Sequence, residues 1–365
     1  MNHITIVAGA RPNFMKVAPI IHEIIKRKNQ GISIDYSLVH TGQHYDKKMS
    51  GNFFSQLNIP EPDENLNAGG GSQSEQTAAI MIRFEKYLIN NSTDLVLVVG
   101  DVNSTMACAI TAQKLGIKVA HVEAGIRSND WTMPEEINRL ITDSISNYFF
   151  TTSELANKNL KLSGVNDNQI FYVGNTMIDT LLKNKSRFTK PPIWDKINLK
   201  NKEFIVITLH RPANVDEGIK LKHMLNHIIE YSHNSQLIFP IHPRTKKIIN
   251  KLDVVHPRLN MVDPMSYLEF NYLVSKSLAV ITDSGGITEE ATVMGIPCLT
   301  LRDNTERPET VSIGTNELIG TDPKNISPAL KKLYSGKWKK GSIPQLWDGK
   351  SAKRIISILI KVLND

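Results

Sequence analysis

The stretch DLVLVVGDVNSTMACAITAQKLGIKVAHVEAGIR, residues 94–127, holds two short β-branched runs separated by a segment of helical character. The runs are DLVLVVGD (94–101) and KVAHVE (118–123), and both are continuously apolar rather than alternating. Continuous apolar runs are typical of parallel strands that are covered on both faces. The stretch therefore predicts a strand–helix–strand unit of a parallel α/β sheet.

Eight further runs repeat this pattern along the chain. Residues 183–202, a polar segment with a Pro-Pro pair, are interpreted as a linker between two halves. We therefore predict an α/β protein with two Rossmann-like, doubly wound domains facing a central cleft, over residues 1–180 and 181–350. The additional runs are ITIVA (4–8), DYSLVH (35–40), YFFTT (148–152), QIFYVGN (169–175), EFIVITLH (203–210), QLIFPIH (236–242), LAVITD (278–283) and PCLTLRD (297–303).

Composition limits the class of protein. The 365 residues are 41% hydrophobic and 22% charged, as in a soluble globular protein. No apolar stretch is long enough for a membrane span, and the N-terminus has too few apolar residues for a signal peptide. Cys108 and Cys298 lie in small apolar segments and are expected to be core thiols. With no CxxC or HExxH motif, these features predict a cytoplasmic protein without a structural metal.

The net charge of +7 raises the question of nucleic acid. Lys and Arg are spread along the chain and are densest at residues 183–192 and 331–341. Neither segment has the interleaved aromatic residues of a single-strand binder. A solvated basic surface that favours an anionic metabolite is the better interpretation.

Polar residues follow eight of the predicted strands. In doubly wound sheets, ligands lie beyond the carboxyl ends of the strands. Eight polar endings therefore predict a binding site. They are AGARPNFMK (8–16), HTGQH (40–44), GDVNS (100–104), HVEAGIR (121–127), TLHRPANVD (208–216), IHPRT (241–245), TDSGGITEE (282–290) and RDNTERPE (302–309).

The ending TDSGGITEE has the form of a phosphate site. Ser284, Gly285 and Gly286 stand between a strand and a helix, where backbone N–H groups and the helix dipole attract anions. The alternative is a tight turn with a serine cap. Glu290 is either a partner of the helix dipole or an acceptor for ribose hydroxyls. Cationic or donor groups near other strand ends are Arg11, Lys16, His242 and Arg244.

Two nucleotide-binding motifs are absent from the sequence. The first loop, residues 8–16, is not a GxGxxG motif, which argues against nicotinamide redox chemistry. The chain also has no GxxxxGK[ST] motif.

Three carboxylates form a second group of candidate residues. Glu123 and Asp101 end neighbouring strands, and strand propensity gives no reason for an acid there. Glu135 has a structural alternative, because Thr132, Pro134 and Glu135 fit a helix capping box. Together with His210, these acids resemble an acid/base array whose pKa values repulsion and burial would separate.

These motifs together resemble those of the non-hydrolysing UDP-N-acetylglucosamine 2-epimerases. The resemblance spans nearly the whole chain and includes MPEEINR (133–139) and GNTMIDT (174–180). It implies the two-domain glycosyltransferase-B fold, with a final helix in residues 351–365 that returns to the first domain. It also implies a homodimer, and neither a metal nor a nicotinamide cofactor.

The resemblance further implies a reaction and site residues. UDP-N-acetylglucosamine (UDP-GlcNAc) and UDP-N-acetylmannosamine (UDP-ManNAc) interconvert by anti elimination of UDP to 2-acetamidoglucal and re-addition, supplying surface polysaccharide. Asp101, Glu123 and Glu135 are the implied acid/base groups, and His210 lies near the diphosphate. The expected substrate-binding residues are Arg11, Lys16, Gln43, His242, Ser284, Gly285, Gly286, Glu290 and Arg307.

The sequence departs from the family pattern at several motifs. GARPN and LHRPANVD replace the GTRPE and GHRREN of many bacterial members. Members activated by a second substrate molecule use two Gln and an Arg, where this chain has Gln43, Asp46 and Glu75. The alternatives are a hydrolysing epimerase, an epimerase of a modified UDP-acetamido sugar, a glycosyltransferase of the same fold and a non-catalytic binding module.

Overall fold

The structure is a computed structural model that describes residues 1–43, 54–241, 246, 248, 249, 252 and 254–364. It divides into two compact units, Met1–Lys183 with Gln345–Asp365, and Asn184–Pro344. Asp46, His242 and Arg244 lie outside the described residues, so the expectations for them stay predictions.

The first unit contains a seven-stranded sheet in the order β3-β2-β1-β4-β5-β6-β7. Its strands are β1 Asn2–Ala8, β2 Ile34–His40, β3 Glu64–Asn65, β4 Leu95–Val99, β5 Lys118–Val122, β6 Tyr148–Thr151 and β7 Ile170–Tyr172. Its helices are α1 Arg11–Asn29, α2 Gln73–Asn90, α3 Asn103–Lys114, α4 Pro134–Ile145, α5 Glu154–Leu162 and α6 Thr176–Asn184.

The second unit contains a six-stranded sheet in the order β10-β9-β8-β11-β12-β13. Its strands are β8 Phe204–Thr208, β9 Gln236–Pro240, β10 Leu259–Val262, β11 Ala279–Thr282, β12 Cys298–Thr300 and β13 Asn316–Leu318. Its helices are α7 Pro192–Lys196, α8 Pro212–Val215, α9 Gly218–Tyr231, α10 Tyr267–Lys276, α11 Gly285–Met294, α12 Pro308–Ser312 and α13 Ile326–Tyr334.

The predicted fold class, α/β with two Rossmann-like domains, is confirmed. Every described strand pair is parallel, and residues 95–99 of the central strand β4 are fully buried. In each sheet the strand order reverses direction once, between β1 and β4 and between β8 and β11. These reversals create the crevices where doubly wound sheets bind ligands.

The boundary between the two units lies within the predicted linker, residues 183–202, but most of this segment is packed into the second unit. The segment contains α7, and Ile193 and Leu199 pack in one core cluster with Phe204 and Val206. Burial of these side chains makes the segment part of the second unit. Cys108 and Cys298 are free and buried, as expected.

The C-terminal helix, α14 Ser351–Asn364, packs against α1. Asp179 accepts hydrogen bonds from the backbone N–H groups of Ser351 (3.1 Å) and Ala352 (2.7 Å) at the start of this helix. The Trp347 indole donates to the Thr152 carbonyl at 3.0 Å. These contacts hold the last segment of the chain on the first unit.

Stability should depend on pH through Asp179. Burial raises its pKa to about 6, against an ordinary value of 3.8. At a pH between 3.8 and about 6, the Asp179 carboxyl keeps its proton in the native state and loses it in the unfolded state. The stabilisation of the native state by the protonated Asp179 therefore decreases as the pH rises from 4 to 6. Relative to Asp179→Asn, the wild type should lose ~3 kcal/mol of unfolding free energy across that window. Urea unfolding at pH 4 and pH 7 measures the difference, and parallel pH profiles would contradict it.

Within the part of the chain that the structure describes, no helix is both long and apolar enough to cross a bilayer.

Candidate active site

Glu123 lies directly after β5 and has an unusual backbone conformation. Its φ of +69° is in the left-handed region, which costs free energy for a residue with a side chain. Its Oε2 is 2.6 Å from Nζ of Lys16, which projects from α1. The exposed fractions are only 3% for Glu123 and 8% for Lys16. A strained, buried and paired carboxylate at a strand end is typical of a functional residue.

Gly100 leaves space for this ion pair. A Cβ at this position would lie 2.9 Å from Lys16 Nζ and 3.7 Å from Glu123 Oε2, and the φ of Gly100 is +68°. Glycine after β4 therefore allows the Lys16 ammonium group to reach Glu123.

A buried network supports the backbone around Glu123. His121 Nδ1 is 2.8 Å from Asp143 Oδ1, and His121 Nε2 is 2.8 Å from the Gly100 carbonyl. Asp143 also accepts from Gly125 N at 3.0 Å. Burial raises the pKa of Asp143, but its contacts with His121 and Arg127 outweigh this effect and lower it. The network joins the strand ends that carry Asp101 and Glu123.

Asp101 lies after β4, and its carboxylate accepts a hydrogen bond from Arg139 Nη2 on α4. The Arg139 Nη1 donates to Glu136 Oε2 at 2.8 Å. Glu136 in turn accepts from the backbone N–H groups of Ser128 (2.9 Å) and Asn129 (3.0 Å). Arg139 thus links Asp101 to the loop before α4.

Glu135 is not part of a capping box, so that alternative is wrong. Helix α4 begins at Pro134 with Met133 as its N-cap residue and no side-chain cap. Thr132 instead donates from its hydroxyl (2.6 Å) and its backbone N–H (3.0 Å) to Asp130 Oδ1. The neighbouring Glu136, and not Glu135, holds the preceding loop.

Gln43 and Glu75 both make contacts at the start of a helix. Gln43 Oε1 accepts from Ser104 N (3.2 Å) and Ser104 Oγ (2.7 Å) in the first turn of α3. Glu75 closes a capping box with Ser72 at the start of α2, where its Oε2 accepts from Ser72 N at 2.8 Å. The Glu75 carboxylate therefore stabilises a helix.

The TDSGG segment forms the start of α11 in the second unit. Ser284 is the N-cap residue, but its hydroxyl makes no capping hydrogen bond, and the first turn has no acidic side chain. The serine-cap alternative is therefore wrong. The first N–H groups of a helix have no intrahelical acceptor, so the segment has the local geometry of an anion site.

His210 follows β8 and pairs with Asp283, which follows β11. The distance from His210 Nδ1 to Asp283 Oδ1 is 2.6 Å, and the side chains are 60% and 0% exposed. Burial raises the pKa of Asp283, but its hydrogen bonds to His210, Arg211 N and Asn214 outweigh this effect and lower it. The buried Asp283 carboxylate therefore contacts one side of the His210 ring, and most of the His210 side chain stays exposed.

Glu290 lies within α11 and is buried. Its Oε1 accepts from the Tyr267 hydroxyl at 2.8 Å. Burial raises its pKa to about 7, and the hydrogen bond from Tyr267 opposes that rise. Glu290 therefore holds its proton to a higher pH than an exposed glutamate does.

Arg307 is buried and pairs with Glu289 on α11. Nearby in sequence, Arg302 donates to both oxygens of Glu306 at 2.7 and 2.8 Å. Burial raises the pKa of Glu306, but the charge and hydrogen bonds of Arg302 lower it to about 2. The ending RDNTERPE thus forms an ionic cluster after β12.

The predicted residues are distributed over both units. Lys16, Asp101 and Glu123 follow the adjacent strands β1, β4 and β5, whereas His210 and Ser284 follow β8 and β11. Arg11 is exposed at the first position of α1. Sequence reasoning missed the partners Arg139, Asp143, Tyr267 and Asp283. Arg139 lies in the motif MPEEINR and Asp283 in TDSGGITEE, whereas Asp143 and Tyr267 lie outside the motifs singled out.

The two Rossmann-like domains carry two strand-end carboxylates in the first unit and a helix start with the local geometry of an anion site in the second. This combination is typical of an enzyme that acts on nucleotide sugars. The family model for UDP-N-acetylglucosamine 2-epimerase matches residues 26–360. The chain belongs to the UDP-N-acetylglucosamine 2-epimerase family, which confirms the predicted resemblance and the isomerase class.

Individual relatives support this assignment. The chain is 40% identical over 369 residues to a UDP-N-acetylglucosamine 2-epimerase of Methanocaldococcus jannaschii, and the match covers 98% of each chain. A crystal structure of the Methanocaldococcus jannaschii UDP-GlcNAc 2-epimerase with UDP-GlcNAc and UDP has a TM-score of 0.86 at 41% identity, over 98% and 99% of the chains. A Pseudomonas aeruginosa UDP-2,3-diacetamido-2,3-dideoxy-D-glucuronate 2-epimerase is 39% identical over 324 residues, 88% of each chain.

Proposed function

We propose that this chain interconverts UDP-GlcNAc and UDP-ManNAc by inverting carbon 2 of the sugar. The observation that carries the proposal is the buried Lys16–Glu123 pair with Glu123 in the left-handed region. Such a carboxylate costs free energy to maintain and has the proton-transfer chemistry that epimerisation needs. The Methanocaldococcus jannaschii structure, which contains UDP-GlcNAc and UDP, supports the substrate.

The hydrogen on carbon 2 is not acidic, so the reaction proceeds by elimination and re-addition. A carboxylate takes that proton, the C1–C2 double bond forms, and the C1–O bond breaks with its electron pair going to UDP. The intermediate is 2-acetamidoglucal. A carboxylic acid then gives a proton to the opposite face of carbon 2, while the UDP oxygen re-forms its bond to carbon 1.

The proposed roles follow from the geometry of each unit. Asp101, Glu123 and Glu135 supply the carboxylates, and Arg139 orients Asp101 through its hydrogen bond. Ser284, Gly285 and Gly286 hold the diphosphate at the start of α11. Glu290, kept in place by Tyr267, accepts from the ribose hydroxyls. Further contacts to UDP are assigned to Arg11, Lys16, His210, His242 and Arg307.

A modified UDP-acetamido sugar is the second candidate substrate. The Pseudomonas aeruginosa relative acts on such a sugar by its name, and it is nearly as similar to this chain as the first relative. The elimination chemistry at carbon 2 is the same for both sugars. A comparison of kcat/KM for UDP-GlcNAc and the diacetamido glucuronate decides between them.

Incubation with UDP-GlcNAc in deuterated water should give UDP-ManNAc labelled at carbon 2. The label enters because the proton that reaches carbon 2 comes from a carboxyl group that exchanges with solvent. Proton NMR measures both the product and the loss of the carbon 2 signal, with an enzyme-free sample as the control. Free ManNAc and UDP as main products would indicate a hydrolysing enzyme, and unlabelled product would exclude proton exchange.

The homodimer, the cytoplasmic location and the supply of ManNAc units to surface polysaccharide also belong to the proposal. They rest on the resemblance described under sequence analysis. Light scattering on the purified chain tests the dimer.

A further inference from the structure

The strand order of the second unit brings His210 and Asp283 together. Strands β8 and β11 are neighbours in parallel register, with Thr208 opposite Thr282. The hydroxyls of these two threonines are 2.6 Å apart. His210 stands two residues after Thr208 and Asp283 one residue after Thr282, so both lie where the strand order reverses. The fold itself therefore creates the pair.

The orientation of the Asp283 carboxylate is fixed by several donors. Its Oδ2 accepts from Arg211 N at 3.0 Å and from Asn214 Nδ2 at 3.1 Å. Its Oδ1 faces His210 Nδ1 at 2.6 Å. The backbone N–H of His210 also donates to Oδ1 (3.2 Å) and Oδ2 (3.1 Å). Because the side chain is fully buried and both of its oxygens accept from amides, the carboxylate has a fixed direction.

This orientation determines where His210 carries its exchangeable proton. An ionised carboxylate only accepts hydrogen bonds, so the Nδ1 atom of the ring must be the donor. Burial raises the pKa of Asp283, but its hydrogen bonds lower it below its ordinary value, so it is ionised at neutral pH. The opposite ring atom, Nε2, is then the one left to exchange a proton with a ligand, on a side chain that is 60% exposed.

The pair is also adjacent to the proposed diphosphate site. Asp283 directly precedes Ser284, the N-cap residue of α11. A diphosphate at the first turn of this helix would therefore lie close to the histidine that Asp283 holds.

We propose that Asp283 is a positioning residue that holds His210 by Nδ1, so that Nε2 exchanges a proton with the departing UDP. The proposal rests on the proposed function. When the C1–O bond breaks, its electron pair goes to the β-phosphate oxygen of UDP, and protonated His210 gives its Nε2 proton to the diphosphate. On re-addition, the same proton returns to Nε2 as the oxygen re-forms its bond to carbon 1.

Replacement of Asp283 by Asn should change the tautomer of His210. The Asn oxygen is expected to stay with Arg211 N and Asn214, so the amide NH₂ faces His210 and donates to Nδ1. The proton of the neutral ring then moves to Nε2, and proton transfer at that atom fails. The matched control is Asp179→Asn, another buried carboxylate that accepts two backbone N–H groups but lies on the first unit.

The first measurement is the His210 tautomer in the ligand-free protein by long-range proton–nitrogen NMR, with His210→Gln identifying the signal. The wild type should carry its neutral-ring proton on Nδ1, and Asp283→Asn should carry it on Nε2. A wild-type ring with its proton on Nε2 overturns the proposal. The wild-type part of this measurement needs no turnover and does not depend on whether Asp283→Asn folds.

The second measurement is turnover. Asp283→Asn should lower kcat by ~10²–10⁴-fold, while UDP affinity by calorimetry changes only a few-fold. When Asp283→Asn is added to His210→Gln, kcat should fall little further, because Asp283 and His210 act through the same proton transfer. Asp179→Asn should keep wild-type kcat. The positioning role is overturned if Asp283→Asn has wild-type kcat. It is also overturned if Asp283→Asn lowers kcat as much in the His210→Gln background as in the wild type.

The two proposals fail in different ways. A wild-type protein that does not epimerise UDP-GlcNAc contradicts the proposed function, while the tautomer measurement still tests the pair. Epimerisation with an unaltered tautomer in Asp283→Asn contradicts the positioning role alone.

Discussion

Glu135→Gln should reduce epimerisation by ~10²–10⁴-fold and leave thermal stability near that of the wild type. Gln keeps the size of the side chain but cannot exchange a proton. Stability is preserved because α4 begins with Met133 as its N-cap residue and makes no side-chain cap. Proton NMR of the sugar and thermal unfolding by circular dichroism measure the two quantities.

The adjacent Glu136 provides the matched control for stability. Its carboxylate accepts from Ser128 N, Ser128 Oγ, Asn129 N and Arg139. Glu136→Gln should therefore lower the free energy of unfolding by ~1–3 kcal/mol, whereas Glu135→Gln should not. Normal turnover in Glu135→Gln would remove this residue from the proton chemistry and leave Asp101 and Glu123.

Glu123→Gln should lose both turnover and stability. Turnover falls by ~10²–10⁴-fold because the carboxylate that exchanges the proton is gone. Stability falls by ~1–3 kcal/mol because Lys16, only 8% exposed, keeps its charge and loses its ionic partner. Denaturant unfolding and the NMR assay measure the two effects in one preparation.

The double variant Glu123→Gln with Lys16→Met separates these two effects. Removal of both charges of a buried pair is often nearly neutral, so the double variant should regain most of the lost stability. Its turnover should stay low, because no carboxylate is restored. A double variant as unstable as Glu123→Gln would show that the ion pair is not the source of the loss.

The interior of both sheets could be predicted from the sequence, but three strands could not. β3, β10 and β13 were missed, and each lies at the edge of its sheet. They have two to four residues, as in Glu64–Asn65 and Leu259–Val262. An edge strand has one neighbour and partial exposure, so it lacks the continuous apolar run that marks a central parallel strand.

The sequence indicates which residues are candidates for the site, but it does not indicate which residues contact them. Strand ends such as Asp101 and Glu123 are visible in sequence because an acid interrupts an apolar run. Their partners come from tertiary packing, since Arg139 is 38 positions from Asp101 and Lys16 is 107 positions from Glu123. The left-handed φ of Glu123 could not be predicted from the sequence either, because such a backbone conformation is expected for Gly or Asn and not for Glu.

The two units share a strand order around the point where that order reverses. Strands β1, β4 and β5 occupy the places in one sheet that β8, β11 and β12 occupy in the other. The segment after β1 contains Arg11 and Asn13 in the first turn of α1, and the segment after β8 contains Arg211 and, in α8, Asn214. Asn13 donates to the last carbonyl of β4, and Asn214 donates to Asp283 after β11.

Asp101 lies two residues beyond β4, and Asp283 lies one residue beyond β11, the corresponding strand of the second sheet. Asp101 accepts a hydrogen bond from Arg139 of the same unit, whereas Asp283 pairs with His210. Similar strand ends thus serve two purposes in this chain: one aspartate is oriented by a neighbouring side chain, and the other orients one.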